Sequence, residues 1–269
     1  MRARHLTVLM LLLSSPMLTA GQQPVATAAQ PAVNAPPLVK PWLGRTEEFE
    51  DFIRTAPFRR VEELKIGVTR PHRGYFDPGG LVASAAWKVL PPGRPNGYWE
   101  SYKSEIAAYE LDKLLDLGMV PPTVEKSYKG DRGAAILWLD GVRSWKSVEA
   151  ESKPDKWNLE AVRMKMFDNL IANIDRNAGN LLIDADWNLY LIDHSRAFVT
   201  DTKLRNVMTR IDRQLWERML ALDEPTLTAA LGKWIDGGAI RAMLKRRDAM
   251  KKVIDTAVTK SSEAAVYIK

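Results

Sequence analysis

Asp175, Asn180 and Asp193 bring three hard oxygen donors into one short stretch, Phe167 through His194. Between them lie two apolar runs, Leu181-Leu182-Ile183 and Leu189-Tyr190-Leu191-Ile192, separated by Asp184-Ala185-Asp186-Trp187-Asn188. Asp and Asn supply turn residues and the flanks are β-formers, so the pattern predicts a β-hairpin. A hairpin this short brings its ends together. Asn180 is therefore expected beside Asp193, with Asp175 on the same rim and a helical segment ending at Asn173 leading into it. A loop acid, with an Asn and an Asp at opposite ends of one hairpin, suits phosphoryl transfer. The first acid receives or orients a hydroxyl proton. The amide oxygen and the second carboxylate are ligands for Mg²⁺ or Mn²⁺ bridging nucleotide phosphates. Loop Asp and Asn residues more often only cap turns, so the surrounding elements must decide.

Those elements can be read in order. Thr46 is a candidate N-cap for a short amphipathic helix containing Phe49, Phe52 and Ile53. Strands are expected over 62–69 and 81–90, joined by a connection containing Gly74, Gly79 and Gly80. Lys88, in the second strand, has a side chain suited to holding α- and β-phosphates as a point charge. Residues 98–118 read as a helix with an apolar sector of Ala107, Ala108, Leu111, Leu114 and Leu115, stopped by Gly118. Glu105 and Glu110 both lie outside the centre of that sector, and periodicity leaves either as a partner for Lys88. Pro121-Pro122 forces an extended exit. Residues 123–128 and 134–139 then form two strands around a turn at Lys129 to Gly133. Leu139-Asp140-Gly141 leads away as a linker between lobes. Residues 158–173 are helical. From about Asp212 the pattern is helical again, broken at Gly237-Gly238, with Lys245–Arg247 and Lys251-Lys252 read as a solvated face.

The chain has 269 residues, 46% of them apolar, enough for a substantial core in one bilobal domain or two small ones. A net charge of +6 favours anionic partners, among them ATP, phospholipid head groups, sulfated sugars and acidic proteins. The regular basic and aromatic interleaving of a nucleic-acid groove is missing, so no nucleic-acid partner is expected. Residues 1–20 combine Arg2 and Arg4 with a short apolar run, Ser14-Ser15-Pro16 and small residues, the pattern of a cleaved secretory signal peptide. That run is too short to span a bilayer and no other stretch is long enough. Residues 21–41, rich in Ala, Pro and Gln, read as a disordered linker. An exported, periplasmic or secreted location follows. The absence of cysteine excludes disulfides, thiolate-bound zinc and thiol catalysis. The three histidines are not paired at ligand spacing.

A strand Lys, a helix bearing Glu, a hairpin, a linker, a helix and an Asp…Asn…Asp loop follow the order of parts in a protein-kinase-like fold. Glu105-Ile106-Ala107-Ala108-Tyr109-Glu110-Leu111-Asp112-Lys113-Leu114-Leu115, with Val120-Pro121-Pro122-Thr123-Val124, resembles the corresponding helix and exit of the atypical secretory-pathway kinases, the Golgi casein kinase type and its glycan-kinase relatives. Asp175-Arg176-Asn177-Ala178-Gly179-Asn180 and Ile192-Asp193-His194-Ser195-Arg196-Ala197-Phe198 are similar to the catalytic and metal-binding segments of that family. They also resemble those of phosphatidylinositol 3-/4-kinases, particularly the type II 4-kinases. The resemblance covers roughly residues 61–198 and departs from the secretory family at Asn180, in the missing cysteines and in the phosphate loop.

The resemblance implies an α+β, bilobal fold, with a small β-rich N-lobe over 42–140 and a mainly helical C-lobe over 141–269. It selects Glu105 over Glu110 as the partner of Lys88. It makes Asp175 the catalytic acid/base, Asp193 the principal metal ligand and Asn180 a second one. Lys88, Gly67, Leu139 and Asn180 become nucleotide contacts. The implied activity is metal-dependent transfer of the γ-phosphoryl group of ATP or GTP to a hydroxyl of a protein, glycan or inositol lipid. The alternatives are a non-catalytic exported binding module and a nucleotidyl transferase on the same fold.

Overall fold

The computed structural model of the protein describes residues 40–64, 71–95 and 97–268. The expected signal peptide, most of the expected linker and Gly67 lie outside the described residues. The first half is built on a five-stranded antiparallel sheet. Its strands are β1 (Arg60–Glu63), β2 (His72–Tyr75), β3 (Ser84–Lys88), β4 (Thr123–Tyr128) and β5 (Asp131–Leu137), in the spatial order β1-β2-β3-β5-β4. Side chains alternate across the sheet. Ala85 and Trp87 of β3 join an aromatic cluster with Phe58, Phe76, Phe49 and Ile53. Ala86 faces the other way, toward Tyr102, Ile106 and Ala134. β4 and β5 are joined by Lys129 and Gly130, both at positive φ, the backbone twist that a two-residue hairpin requires.

Helix α1 (Thr46–Thr55) buries Phe49 and Ile53 against this sheet. The Lys126 ammonium, reaching from β4, donates to the carbonyls of Ile53, Arg54 and Ala56 and satisfies the acceptors that the end of α1 leaves open. Thr46 is not the N-cap. It is the first helical residue, and its hydroxyl donates back to the Trp42 carbonyl. Helix α2 (Tyr102–Leu114) starts where Ser101 caps the Lys103 N–H, later than expected because residues 97–101 stay outside the helix, with Glu100 bridged to Gly93. Beyond α2, the buried Asp112 carboxylate accepts the N–H groups of Gly118, Met119 and Val120 and fixes the exit toward Pro121-Pro122. Burial raises this carboxyl to about 6, against the opposing pull of those three N–H groups.

The strand β2 was expected to be part of a glycine-bearing connection. Gly74 pairs with Val61 on one side and Ala85 on the other, and a Cβ there would meet the Phe58 ring at 2.4 Å. Its glycine serves the aromatic core rather than a turn. The expected strand over 62–69 extends only to Glu63 among the described residues.

The second half is mainly helical. After β6 (Arg143–Ser144) and α3 (Trp145–Val148) comes α4 (Asp155–Ile171), which passes through the largest apolar cluster with Met166, Phe167, Leu170 and Ile171. A single 3₁₀ turn (Ala178–Asn180) leads into β7 (Leu181–Ile183), which pairs with β8 (Leu189–Leu191) as the expected hairpin and with β6 on its other side. The buried Asp184 carboxylate organises the turn, accepting from the N–H groups of Asp186 and Asn188, the Asn188 amide and the Tyr190 hydroxyl. Then follow β9 (Ile211–Asp212), α5 (Arg213–Leu220), α6 (Glu224–Leu231), α7 (Gly237–Lys260), α8 (Glu263–Val266) and β10 (Tyr267–Ile268). Gly237-Gly238 does not break a helix. It opens α7, with Asp236 capping the Ala239 N–H.

Arg246 departs from its expected place on a solvated face. It is 0% exposed, and it donates to the carbonyls of Leu170, Val199 and Asp201. Burial lowers its guanidinium to about 10. No helix among the described residues is long and apolar enough to cross a membrane.

Candidate active site

Lys88 ends β3 with its ammonium 2.7 Å from Oε1 of Glu105 and 2.8 Å from Oδ1 of Asp193. Strand pairing puts it there. Ala134 lies opposite Lys88 on β5, and a Cβ on the neighbouring Gly133 would sit 2.4 Å from the Lys88 carbonyl. Only glycine allows β5 to approach this closely. Burial by itself would lower the Lys88 ammonium and raise the Glu105 carboxyl. The attraction of Glu105 and Asp193 outweighs it and holds Lys88 above the usual lysine value. Lys88 and His194 likewise outweigh burial at Glu105 and hold its carboxyl below the usual range. Glu110, the other candidate partner, pairs instead with Lys113.

Glu105 is 2% exposed and uses both oxygens. Oε1 takes Lys88, and Oε2 accepts the backbone N–H of His194 at 2.8 Å. That bond fixes the residue after Asp193, whose φ of +61° lies in the left-handed region. Asp tolerates that region better than most residues, and the strain persists only where the surroundings hold it. Here the Ile192 N–H donates to the Asn180 carbonyl, the Ser195 hydroxyl donates to Asp193, and the Ser101 N–H donates to the Ser195 carbonyl.

The loop bearing Asp175 begins where α4 ends on Ala172, itself at φ +50°. Asp168, fully buried in the last turns of α4, receives both arms of the Arg176 guanidinium at 2.9 and 3.0 Å. Arg176 also donates to the carbonyls of Asn180 and Ile192 at 3.0 and 2.7 Å. One planar fork therefore clamps the two ends of the hairpin to the helix. Its Nη2 lies 2.9 Å from Nε2 of His194. Since arginine only donates, that ring nitrogen is the acceptor. Burial holds the imidazole below its ordinary value, against the opposing contact with Glu105, and Arg176 adds to the lowering.

Asp175 stands at the rim with 41% of its side chain exposed. Its N–H donates to the Asn173 amide oxygen, and its carbonyl accepts the Asn180 amide N–H at 3.0 Å. That bond engages the nitrogen of the Asn180 amide and leaves its oxygen as the acceptor end of the group. Lys88, Glu105 and Asp193 thus form one contact network, with Asn180 and Asp175 adjoining it through the hairpin. Leu139 stands apart, buried in the apolar cluster of the sheet. Asp168, Arg176, His194, Glu100 and Arg196 belong to the same polar assembly and were not singled out from the sequence. Glu100 and Arg196 are 96 positions apart and His194 is 89 positions from Glu105, too far for a local pattern to show, whereas Asp168 and Arg176 are only eight positions apart.

Asp193 and the Asn180 amide oxygen are the hard donors suited to a divalent cation. Among the described residues no group of three or more His, Cys, Asp or Glu is placed to hold a metal ion. A cation here would take few protein ligands and complete its shell from phosphate oxygens, as Mg²⁺ commonly does.

No protein-family model matches the chain, and no curated protein matches it in sequence. Solved structures do match. The Golgi casein kinase with Mn/ADP bound gives a TM-score of 0.63 at 16% identity, covering 84% of this chain and 79% of that one. Another structure of the Golgi casein kinase gives 0.64 at 16% identity, over 83% and 79%. Hydra Fam20, solved with sugar, gives 0.67 at 14% identity, over 84% and 92%. Identities this low speak for the fold. The chain has the bilobal, atypical kinase-like fold of the Golgi casein kinase type, with an antiparallel sheet in its N-terminal part and helices in its C-terminal part.

Proposed function

We propose that the protein is a metal-dependent phosphotransferase, moving the γ-phosphoryl group of ATP or GTP to a hydroxyl of a protein, glycan or inositol lipid. The observation that carries this reading is the double contact of the Lys88 ammonium, 2.7 Å from Glu105 and 2.8 Å from Asp193, with the exposed Asp175 carboxylate on the same rim. Residues 42–140 serve as the nucleotide-facing lobe and 141–269 as the catalytic lobe. Gly67 and Leu139 are assigned to nucleotide contacts by resemblance alone.

In this reading Lys88 holds the α- and β-phosphates, positioned by Glu105. Asp193 and Asn180 hold Mg²⁺ or Mn²⁺, which when bound neutralises phosphate charge. Asp175 orients the acceptor hydroxyl and takes its proton as the new O–P bond forms. The bond between the γ-phosphorus and the β–γ bridging oxygen breaks, and its electron pair leaves with the nucleoside diphosphate. Positioning and charge neutralisation supply most of the acceleration. The Mn/ADP content of the Golgi casein kinase structure supports this assignment of nucleotide and metal. The expected leader at residues 1–20 implies export, where the natural acceptor would be met.

Thermal unfolding of the chain with ATP or GTP, with and without Mg²⁺ or Mn²⁺, tests the reading. A metal-dependent rise in Tm is expected, followed by formation of nucleoside diphosphate with a protein, an oligosaccharide or phosphatidylinositol vesicles as acceptor. No shift with either nucleotide and either metal would favour a non-catalytic binding module. Release of pyrophosphate in place of nucleoside diphosphate would mark nucleotidyl transfer.

A further inference from the structure

Arg196 lies between two carboxylates that belong to different parts of the chain. Its Nε and Nη2 donate to Oε1 of Glu100 at 2.9 and 2.6 Å, and its Nη1 donates to Oδ2 of Asp175 at 3.2 Å. The two partners are not equivalent. Glu100 is 2% exposed and held by backbone bonds in both directions with Gly93. Asp175 is half-exposed, and among the described residues its side chain has no comparable fixing contact. A buried carboxylate needs its cation far more than an exposed one does. Glu100 is thus the anchor that sets the plane of the guanidinium, and Asp175 is the group that this plane orients. The Tyr98 ring, 5.2 Å from the guanidinium carbon, covers Arg196 from another side. Next to Glu100, the Ser101 N–H donates to the Ser195 carbonyl, so the segment just before α2 and the Asp193 loop are joined twice at this point.

We infer that Arg196 is a positioning residue for the transfer step. Anchored by Glu100, it holds Oδ2 of Asp175 and leaves Oδ1 directed to the acceptor hydroxyl. The inference rests on the phosphotransferase reading. It assigns to the loop before α2, which carries none of the catalytic groups named above, the task of aiming the catalytic carboxylate. Lysine could replace the charge but not the fork that contacts Glu100 and Asp175 together.

The test uses the full chain and its turnover of Mn-ATP to ADP, with water as the acceptor probe, for wild type, Arg196→Met, Arg196→Lys, Glu100→Gln and the double variant Arg196→Met/Glu100→Gln. Arg196→Met is expected to lower kcat roughly 10- to 100-fold, the scale of a misplaced catalytic group, with KM for ATP within about twofold. Arg196→Lys should recover part of that loss. Glu100→Gln should lower kcat in the same direction, and the double variant should be no slower than Arg196→Met, since both changes remove one device. The Mn-ADP thermal shift should persist in every variant, which separates loss of aim from loss of fold. A large rise in KM with kcat preserved would overturn the inference and make Arg196 a phosphate ligand. Unchanged kcat, or losses that simply multiply in the double variant, would also overturn it while leaving the phosphotransferase reading intact. If wild type neither binds Mn-ATP nor turns it over, the functional reading itself fails and the Arg196 role falls with it.

Discussion

The Lys88 ammonium lies 2.8 Å from Oδ1 of Asp193, although the two residues are 105 positions apart in the chain. This contact joins the last residue of β3 to the far end of the β7–β8 hairpin. It places the proposed phosphate ligand against the proposed metal ligand.

Binding and transfer should separate between the two acids of the rim. Asp193→Ala is expected to abolish the metal-dependent thermal shift with ATP. Asp175→Ala should keep that shift and lose transfer by at least about 100-fold, the scale of general acid–base catalysis. Calorimetric titration and a product assay on both variants check this. If both bind and transfer like wild type, the site has been placed wrongly.

The buried cation should be costlier to remove than either of its partners. Glu105→Gln leaves Lys88 with Asp193 and is expected to cost on the order of 3 kcal/mol. Lys88→Met leaves two carboxylates facing one apolar group and should destabilise further. Adding Glu105→Gln to Lys88→Met should then restore part of the loss, because it removes one of the unpaired charges. Urea unfolding of the three variants gives the comparison, and strictly additive costs would contradict it.

Asp112 makes stability depend on pH in a definite direction. Its carboxyl is raised from 3.8 to about 6 in the folded chain, so the folded state binds the extra proton between those values. The contribution is fully present below about pH 4 and is lost as pH rises through about 6. Asp112→Asn does not titrate. The stability of wild type relative to this variant should therefore fall by up to roughly 3 kcal/mol between pH 4 and 7. A difference that is flat or rises across that window would count against the assignment.

Arg246 and its neighbours in the basic run of α7 should behave oppositely. Arg246→Met strands three carbonyls, Leu170, Val199 and Asp201, and is expected to cost about 2–4 kcal/mol. It should also speed proteolysis near residues 199–205. Lys245→Ala and Lys252→Ala should change stability by less than about 0.5 kcal/mol. Equal effects at all three positions would remove the distinction.

What could be read from the sequence was whatever is decided locally. The β7–β8 hairpin announces itself by apolar runs around an Asp- and Asn-rich turn, and β4 by alternation after Pro121-Pro122. β2 was hidden because His-Arg-Gly-Tyr looks like a turn, and only the Phe58 ring across the sheet explains its glycine. Arg246 sits in a Lys-Arg-Arg run that suggests a wet face, yet it points inward to carbonyls of α4 and of residues 199–201, and the half-buried Arg247 donates to the Leu222 carbonyl. Glu100 and Arg196 were invisible for a similar reason. They are 96 positions apart, and nothing in either neighbourhood marks them as partners. The choice between Glu105 and Glu110 is settled by which helix face meets Lys88, a question that periodicity alone left open.

The alternation of Trp87 and Lys88 on β3 has a consequence for assembly. Trp87 enters an aromatic cluster while Lys88 turns to Glu105, and Gly133 across the ladder leaves the room that the Lys88 carbonyl needs in this alignment. Slipping β3 by a single residue would drive an ammonium among phenyl rings and swing an indole onto a carboxylate. The same pairing that builds the site thus proofreads the sheet. A chain that closes its sheet correctly has, in that act, already delivered its lysine, and insertions should be tolerated at Lys129-Gly130 but not within β3 or β5.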